Sequence, residues 1–414
     1  MRPEPGAVRA TLRRLPAGPT AGGGLQLWRR EHSVARKRNF RGQKRAGMAA
    51  TFLVTGGAGF IGRALCDELL SNGYGVRVLD SLIEQVHGDG LPRLPRDVEL
   101  LHGDVRDADL VGRAIEGVDG VFHLAAEVGV GQSMYEIARY VGANDLGTAT
   151  LLEAMIARPV RRLVVASSMS VYGEGMYRDS NDKFRPYVRR AVSEGAGWDP
   201  TDEAGEALVA VPTDETKPTD LASVYAVTKF VQERNGLIVA RAYGMQAVAL
   251  RLFNVFGPGQ ALSNPYTGVL ANFGARLMHG QPPMVFEDGQ QKRDFVHVRD
   301  VARAFRLAME SQPADGEVIN VGSGRAYTIG RIAEMLADAL DLPEIRPMLL
   351  GKARAGDIRH CFADISKART LLGYEPLHPL EDSLEEAASW IRSSVATDRG
   401  EQARRQLEAR GLVA

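Results

Sequence analysis

Cysteine is nearly absent: Cys66 and Cys361 are the only two in 414 residues, and no CxxC spacing joins them. That excludes a disulfide framework and a structural zinc knuckle, and it fits a reducing compartment, so the expected location is cytoplasmic. No apolar run approaches the roughly 18 residues a membrane span needs, so no transmembrane helix is predicted. Charge of one sign is missing as well. Lys+Arg and Asp+Glu balance at 51 each, which leaves no global field to attract nucleic acid or an anionic membrane. His123, His297 and His360 share no HxH or HxxxH spacing, and each stands in or beside an apolar run. Structural histidines, and no bound metal, are expected.

Acid is scarce in one place only. The first 47 residues hold 12 Arg/Lys against Glu4 and Glu31, with Gly22-Gly23-Gly24 and several prolines breaking any period. Residues 1–47 are expected to be a disordered basic extension, an upstream addition ahead of a transit peptide. Deletion of that stretch should spare the folded chain.

From Met48 short apolar runs alternate with helix-length segments: TFLVTG (51–56), GVRVLD (75–80), VELLHGD (98–104), GVFHLAA (120–126), RRLVVASS (161–168) and AVALRLFN (247–254). Strand then helix, repeated, predicts an α/β fold with a Rossmann-type, doubly wound parallel sheet over 48–257. The alternation weakens beyond residue 257. A smaller C-terminal α/β substrate-binding domain is expected over 258–395, with a tail over 396–414.

Gly56, Gly59 and Gly62 are spaced GxxGxxG between the first strand and the helix candidate GRALCDELLSNG, with Phe60 and Ile61 counted among the cofactor-binding residues. Such a turn lets a pyrophosphate approach the backbone at the helix N-terminus. Asp80 ends the next strand, 24 residues after Gly56, where a carboxylate accepts from ribose hydroxyls and repels a 2′-phosphate. NAD is therefore expected over NADP. Asp104, with Val105 beside it, ends the third strand on the adenine side. Tyr225 and Lys229 stand four apart on a helix, so phenol and ammonium share one face, and the cation together with an oxidised nicotinamide is expected to lower the phenol's pKa and make it a base.

These motifs together with HLAA (123–126), SSMSVYG, RLFNVFGPGQ, RDFVHVRD, NVGSG and RAGD resemble the extended short-chain dehydrogenase/reductase family, in its NAD-dependent nucleotide-sugar epimerase/dehydratase branch, over roughly Met48 to Trp390. The resemblance implies that Ser168, Tyr225 and Lys229 are catalytic, that Asn144 touches the nicotinamide side of NAD, and that Asn254, Arg293, Arg354 and Asp357 hold a nucleotide-diphosphate sugar. It also implies a homodimer, for which the helices of 136–156 and 223–241 offer apolar stripes. Dehydratases of the branch place an Asp-Glu pair where Met169-Ser170 stand. Two neutral side chains leave redox at C4 alone, so a 4-epimerase is expected. A UDP-glucose- or UDP-glucuronate-type 4-epimerase and a nucleotide-sugar dehydrogenase or reductase remain alternatives. Leu262, Pro265 and Tyr266 offer an apolar wall suited to a 6-methyl group. The insert between Tyr172 and Tyr225 reads as a solvated loop ahead of a lid.

Overall fold

The computed structural model describes residues 50–87, 94–185, 197–262, 268–354, 356–394 and 400–413. The basic leader and the pair Pro265 and Tyr266 lie outside them. Seven strands form one parallel sheet: β1 (Thr51–Thr55), β2 (Gly75–Asp80), β3 (Val98–His102), β4 (Gly120–His123), β5 (Arg162–Ser168), β6 (Gln246–Leu252) and β7 (Val318–Val321). Their spatial order is β7-β6-β5-β4-β1-β2-β3. The order reverses direction between β1 and β4, the switch point at which the carboxyl ends of neighbouring strands open a crevice.

Side-chain alternation divides the core. Phe52 and Val54 of β1 pack with Leu65 and Leu69 of helix α1 (Phe60–Ser71), while Leu53 between them faces the opposite cluster. That second face is covered by α2 (Ala108–Ala114), α3 (Gly147–Ala157) and α4 (Val224–Tyr243), which contribute Leu110, Leu151, Met155 and Ala240. Both faces are dry, as an all-parallel sheet requires. Ser223 caps α4, its hydroxyl accepting from Ala226 N at 3.1 Å, and Gly244 ends the helix at φ 72°.

Three expectations change. The chain returns to the sheet after residue 258: α5 (Val298–Glu310) packs on the α1 side through Val301, Phe305 and Ala308, and β7 pairs with β6. A separate hydrophobic cluster, around Phe273, Leu336 and Leu384, draws mainly on 268–293 and 327–391. The six strand runs before residue 257 signalled the sheet, but β7 is only four residues long and carries Asn320, which hid it. The insert is not a bare loop either. Met176–Arg178 is the middle of a three-stranded antiparallel sheet with Phe184–Arg185 and Val209–Val211, and Asp199 within the insert pairs with the buried Arg359 at 2.7 Å. Finally, the expected tail contains a helix, α6 (Gly400–Glu408).

Candidate active site

A cleft of about 1180 Å³ runs along the carboxyl ends of β1, β2, β4 and β5. Gly56, Gly59, Phe60, Ile61 and Gly62 line it, with Asp80, Asp104 and Val105. Gly56 sits at φ +69°, and a Cβ there would meet Ala125 N at 2.8 Å; a Cβ on Gly62 would meet Gly56 O at 2.4 Å. Backbone is thus packed on backbone where α1 begins. Gly59, the N-cap of α1, supplies no side chain, so the helix end keeps its N–H groups for a ligand.

Asp80 accepts from Ala58 N and Leu82 N, each at 2.9 Å. Burial raises its pKa, but His87 and the two amides outweigh burial and the net shift is downward, so it is a carboxylate at neutral pH. Asp104 is clamped by Arg106, whose Nη2 donates to Oδ2 at 2.6 Å; that hydrogen bond, against burial, holds its pKa down. Two carboxylates at the far end of a cleft headed by a glycine turn fit the adenosine half of a dinucleotide.

Ser168 ends β5. Its Oγ accepts from Ser170 Oγ at 2.9 Å and from Ser170 N at 3.2 Å. Ser170 therefore leaves Ser168 its own proton to donate. Tyr225 stands on the first turn of α4; burial raises the phenol's pKa and the Ser168 hydroxyl opposes it. The Tyr225 backbone N donates to Ser133 Oγ at 3.0 Å, fixing the start of the helix. Lys229 Nζ donates to Gln232 Oε1 at 2.7 Å, and burial brings its pKa down to about 7 against the pull of Glu233. With its ammonium on Gln232, Lys229 is not among the groups that shift the Tyr225 phenol, which are burial and Ser168.

Asn144 is also placed differently from expectation. It is fully buried on the one π-helical turn among the described residues, Val141–Leu146. Its Oδ1 accepts from Glu127 N at 2.7 Å, and its Nδ2 donates to Glu127 O at 3.1 Å and to Thr228 Oγ1 at 2.9 Å. It braces the loop after β4 against α4, and its amide is spent on that. His123 has the same character: Thr55 and Thr148 hold its two nitrogens at 2.7 and 2.8 Å, and burial brings its pKa down to about 3, so it is neutral.

A second cavity of about 370 Å³ opens beside the first, and Ser168, Tyr225 and Asn254 line both. Asn254 Oδ1 is buried with no hydrogen-bond partner, an acceptor awaiting a donor. Arg293, Arg354 and Asp357 line the far side. Arg354 pairs with Asp357 at 3.0 Å and lies 4.5 Å over the Phe286 ring. Arg293 donates to Lys292 O and Arg359 O at 2.9 and 3.0 Å, and also to Ile358 O. It is no surface ion pair with Asp294, which is fully buried and instead accepts from Ser323 N at 2.7 Å and Gly324 N at 2.8 Å. Two guanidiniums, one of them nearly buried, suit a diphosphate. Met169 and Ser170 line this cavity, and among the described residues its one carboxylate is Asp357.

Of the hydroxyls from Ser167 to Tyr172, those of Ser168 and Ser170 line the smaller cavity. Ser167 lines the cleft, but its hydroxyl donates to Glu233 at 2.7 Å, and Tyr172, which lines neither, donates to Asn320 at 2.7 Å. Reading residue types alone missed Ser133, Ser170 and Gln232. Only Gln232 left a signal, three residues after Lys229 on the same helix face. No group of three or more His, Cys, Asp or Glu side chains among the described residues is disposed to hold a metal ion.

A dinucleotide cleft meeting a smaller cavity at a Ser/Tyr/Lys cluster defines a nicotinamide-dependent enzyme of the short-chain dehydrogenase/reductase type. The chain belongs to the NAD dependent epimerase/dehydratase family, whose model matches residues 52–193 and 201–322. Its cofactor is NAD, and it is an enzyme of the epimerase class. It is 35% identical over 351 residues to a dTDP-L-rhamnose 4-epimerase of Burkholderia thailandensis, covering 82% of this chain and 94% of that protein. Among solved structures it resembles the UDP-glucose 4-epimerase of Thermotoga maritima with UDP-glucose (TM-score 0.68, 32% identity, 83% of this chain and 98% of that one). A UDP-glucuronic acid 4-epimerase from Bacillus cereus, in complex with UDP-glucuronic acid and NAD, gives a TM-score of 0.65 at 29% identity over 83% of this chain and 99% of that one.

Proposed function

We propose that the chain is a nucleotide-sugar 4-epimerase acting on dTDP-L-rhamnose, and that Ser168, Tyr225 and Lys229 are its catalytic residues. The observation that carries the reading is the junction of the two cavities at Ser168, Tyr225 and Asn254, flanked by the neutral pair Met169-Ser170. When bound, NAD supplies a hydride acceptor and donor and, oxidised, a positive charge that favours the Tyr225 phenolate. Tyr225 takes the proton of the sugar's 4-hydroxyl and later returns it. Ser168 holds that oxygen by the proton Ser170 leaves free, and Lys229, turned from Gln232, keeps the phenolate stable. The cofactor's phosphates and ribose fall to Gly56, Gly59, Phe60, Ile61 and Gly62 and to Asp80, with Asp104 and Val105 at the adenine. Asn254 donates to and accepts from the substrate, whose diphosphate Arg293 and Arg354 clamp, while Asp357 orients Arg354 and meets the nucleoside ribose. Asn144 acts behind the nicotinamide, through the loop at Glu127.

The sugar is the finer step. The runs VGVGQSMYEIARYV, VVASSMSVYGEGMY and GKARAGDIRHC, with the Burkholderia relative, favour dTDP-L-rhamnose. Of the apolar wall expected for a 6-methyl group, Leu262 lines the cofactor cleft and not the smaller cavity, and Pro265 and Tyr266 lie outside the described residues. Residues 48–257 with the returning 298–321 form the NAD-binding half and the remainder to 395 the substrate half. The enzyme works in the cytoplasm as a homodimer through α3 and α4, on whose helices and preceding turns Ile137, Leu146, Ile238 and Tyr243 stand exposed; light scattering at the monomer mass would refute that state. Substrate deuterated at C4 tests the reaction. Across a panel of dTDP- and UDP-sugars, the label should stay at C4, no deuterium should enter C3 or C5 from D₂O, and no product should be lighter by one water. Solvent deuterium at C5, or loss of water, would replace the epimerase by a dehydratase.

A further inference from the structure

The family model's match ends at residue 322, yet the sugar end of the smaller cavity is closed by the C-terminal helix α6. Gly400, Ala403, Arg404 and Leu407 line that cavity together with Ser168 and Tyr225, and Leu412 follows them. The spacing i, i+3, i+4, i+7 is one helix face. Leu407 packs on the turn that precedes the site: its methyls stand 3.4 and 3.5 Å from where a Cβ on Gly131 would be. Gly131 belongs to the helical turn Val130–Ser133, whose Ser133 holds the Tyr225 backbone.

The helix is moored outside the cavity. Tyr135 donates to Gln406 at 3.3 Å, Arg410 lies 4.2 Å over the Tyr135 ring, and Val413 bridges to Arg354. Arg404, the one cation on the cavity face of α6, is pinned by Glu401 at 2.6 Å and Glu408 at 2.5 Å. The face offered to the sugar is therefore apolar and its charge is neutralised.

We propose that α6 is the wall that retains the sugar while its C4 is oxidised, with Leu407 its positioning residue. This rests on the epimerase reading above. NAD held in the larger cleft would supply a hydride acceptor at C4 while Tyr225 takes the hydroxyl proton, so the C4 carbinol would become a ketone whose ring must turn before it is reduced again. A wall of hydrogen-bonding groups would hold one face of the ring. Ala403 and Leu407 confine the ring without binding either face, so it rotates and does not leave. If the ketone escapes, the reduced cofactor is stranded in the protein.

The test compares holoenzyme of the full chain with the same chain ended after Ser394, with Leu407→Ala and with Arg410→Ala, on the sugar-nucleotide panel. Steady-state kinetics, the absorbance of reduced nicotinamide, and mass spectrometry of free 4-keto sugar are read together. Truncation and Leu407→Ala should raise KM roughly tenfold, from the apolar contact removed, and should strand reduced cofactor with matching keto sugar in solution. Arg410→Ala, which touches no cavity residue, should do the same more weakly with unchanged NAD content. Wild-type KM and no stranded cofactor in both the truncated chain and Leu407→Ala would overturn the wall. Absence of turnover by the full chain on every sugar would overturn the epimerase reading instead.

Discussion

Replacing Lys229 by Met should stabilise the protein freed of NAD while abolishing turnover. Lys229 is 3% exposed, and burial takes its pKa from 10.5 to about 7. Below pH 7 both folded and unfolded chains carry the proton, and burying the charge costs about 5 kcal/mol, at 1.36 kcal/mol per unit. Between pH 7 and 10.5 only the unfolded chain is protonated, so wild-type stability rises with pH. The penalty is about 4 kcal/mol at pH 7 and about 1 kcal/mol at pH 9.5. Against it stands the Gln232 oxygen that Met leaves without its donor, at about 1–3 kcal/mol. The balance at pH 7 is a gain of about 1–3 kcal/mol; with about 2.1 cal/mol/K of unfolding entropy per residue, that raises Tm by about 1–4 °C in a folded unit spanning 49–414. At pH 9.5 the advantage should vanish or reverse. Calorimetry of both proteins across this pH range checks it. A variant less stable at pH 7, or a gap constant with pH, would refute the claim that a buried, partly discharged ammonium is held at the site.

Four shorter tests address the remaining assignments. Tyr225→Phe should lower kcat by roughly 10²-fold or more and retain NAD, measured by turnover and bound-cofactor absorbance; near-normal turnover would remove Tyr225 from the chemistry. Ser170→Ala removes the donor to Ser168 and should cost about fivefold in kcat, the worth of about 1 kcal/mol, with KM unchanged. Asp80→Ala should weaken NAD binding and relax discrimination against NADP in titrations; a wild type preferring NADP would cancel that role. In Gly62→Ala a Cβ falls 2.4 Å from Gly56 O, so both NAD content and Tm should fall, and an unchanged Tm would show that the turn yields.

The strands before residue 257 were legible because each is an apolar run and four of the six end in Gly, Asp or Ser, and the cleft was legible because glycine spacing and a strand-end Asp are local signals. What escaped is long-range. Asn144 carries the residue type of a ligand contact, but only the fold shows its amide consumed by Glu127 and Thr228. Arg359 gives no hint in sequence of joining Asp199 of the insert to Glu287 and Asp288. Helix α6 has a readable face at 400, 403, 404 and 407, yet its mean hydropathy is low, since the surrounding Glu and Arg dominate composition. Amphipathic pattern, not composition, was the signal there.

The site joins two economies that oppose each other. Around Ser168, Ser170 and Tyr225 every hydroxyl has a partner, so the proton path is set before any ligand arrives. Lys229 and Asn254 are held otherwise: one is an ammonium buried at a cost, the other offers a buried oxygen with no donor. Both are unfavourable in the empty fold, and each is relieved by a different partner, a polar cofactor for Lys229 and the substrate for Asn254. Binding either molecule would therefore recover free energy that folding gave up, at two side chains that line the same cleft as Tyr225. If that is the logic, Asn254→Leu should stabilise the empty protein as Lys229→Met does, since each removes a polar group the fold leaves unpaid. It should weaken sugar-nucleotide binding alone, with NAD content unchanged. A variant that lost NAD along with substrate would place Asn254 on the cofactor's side of the junction.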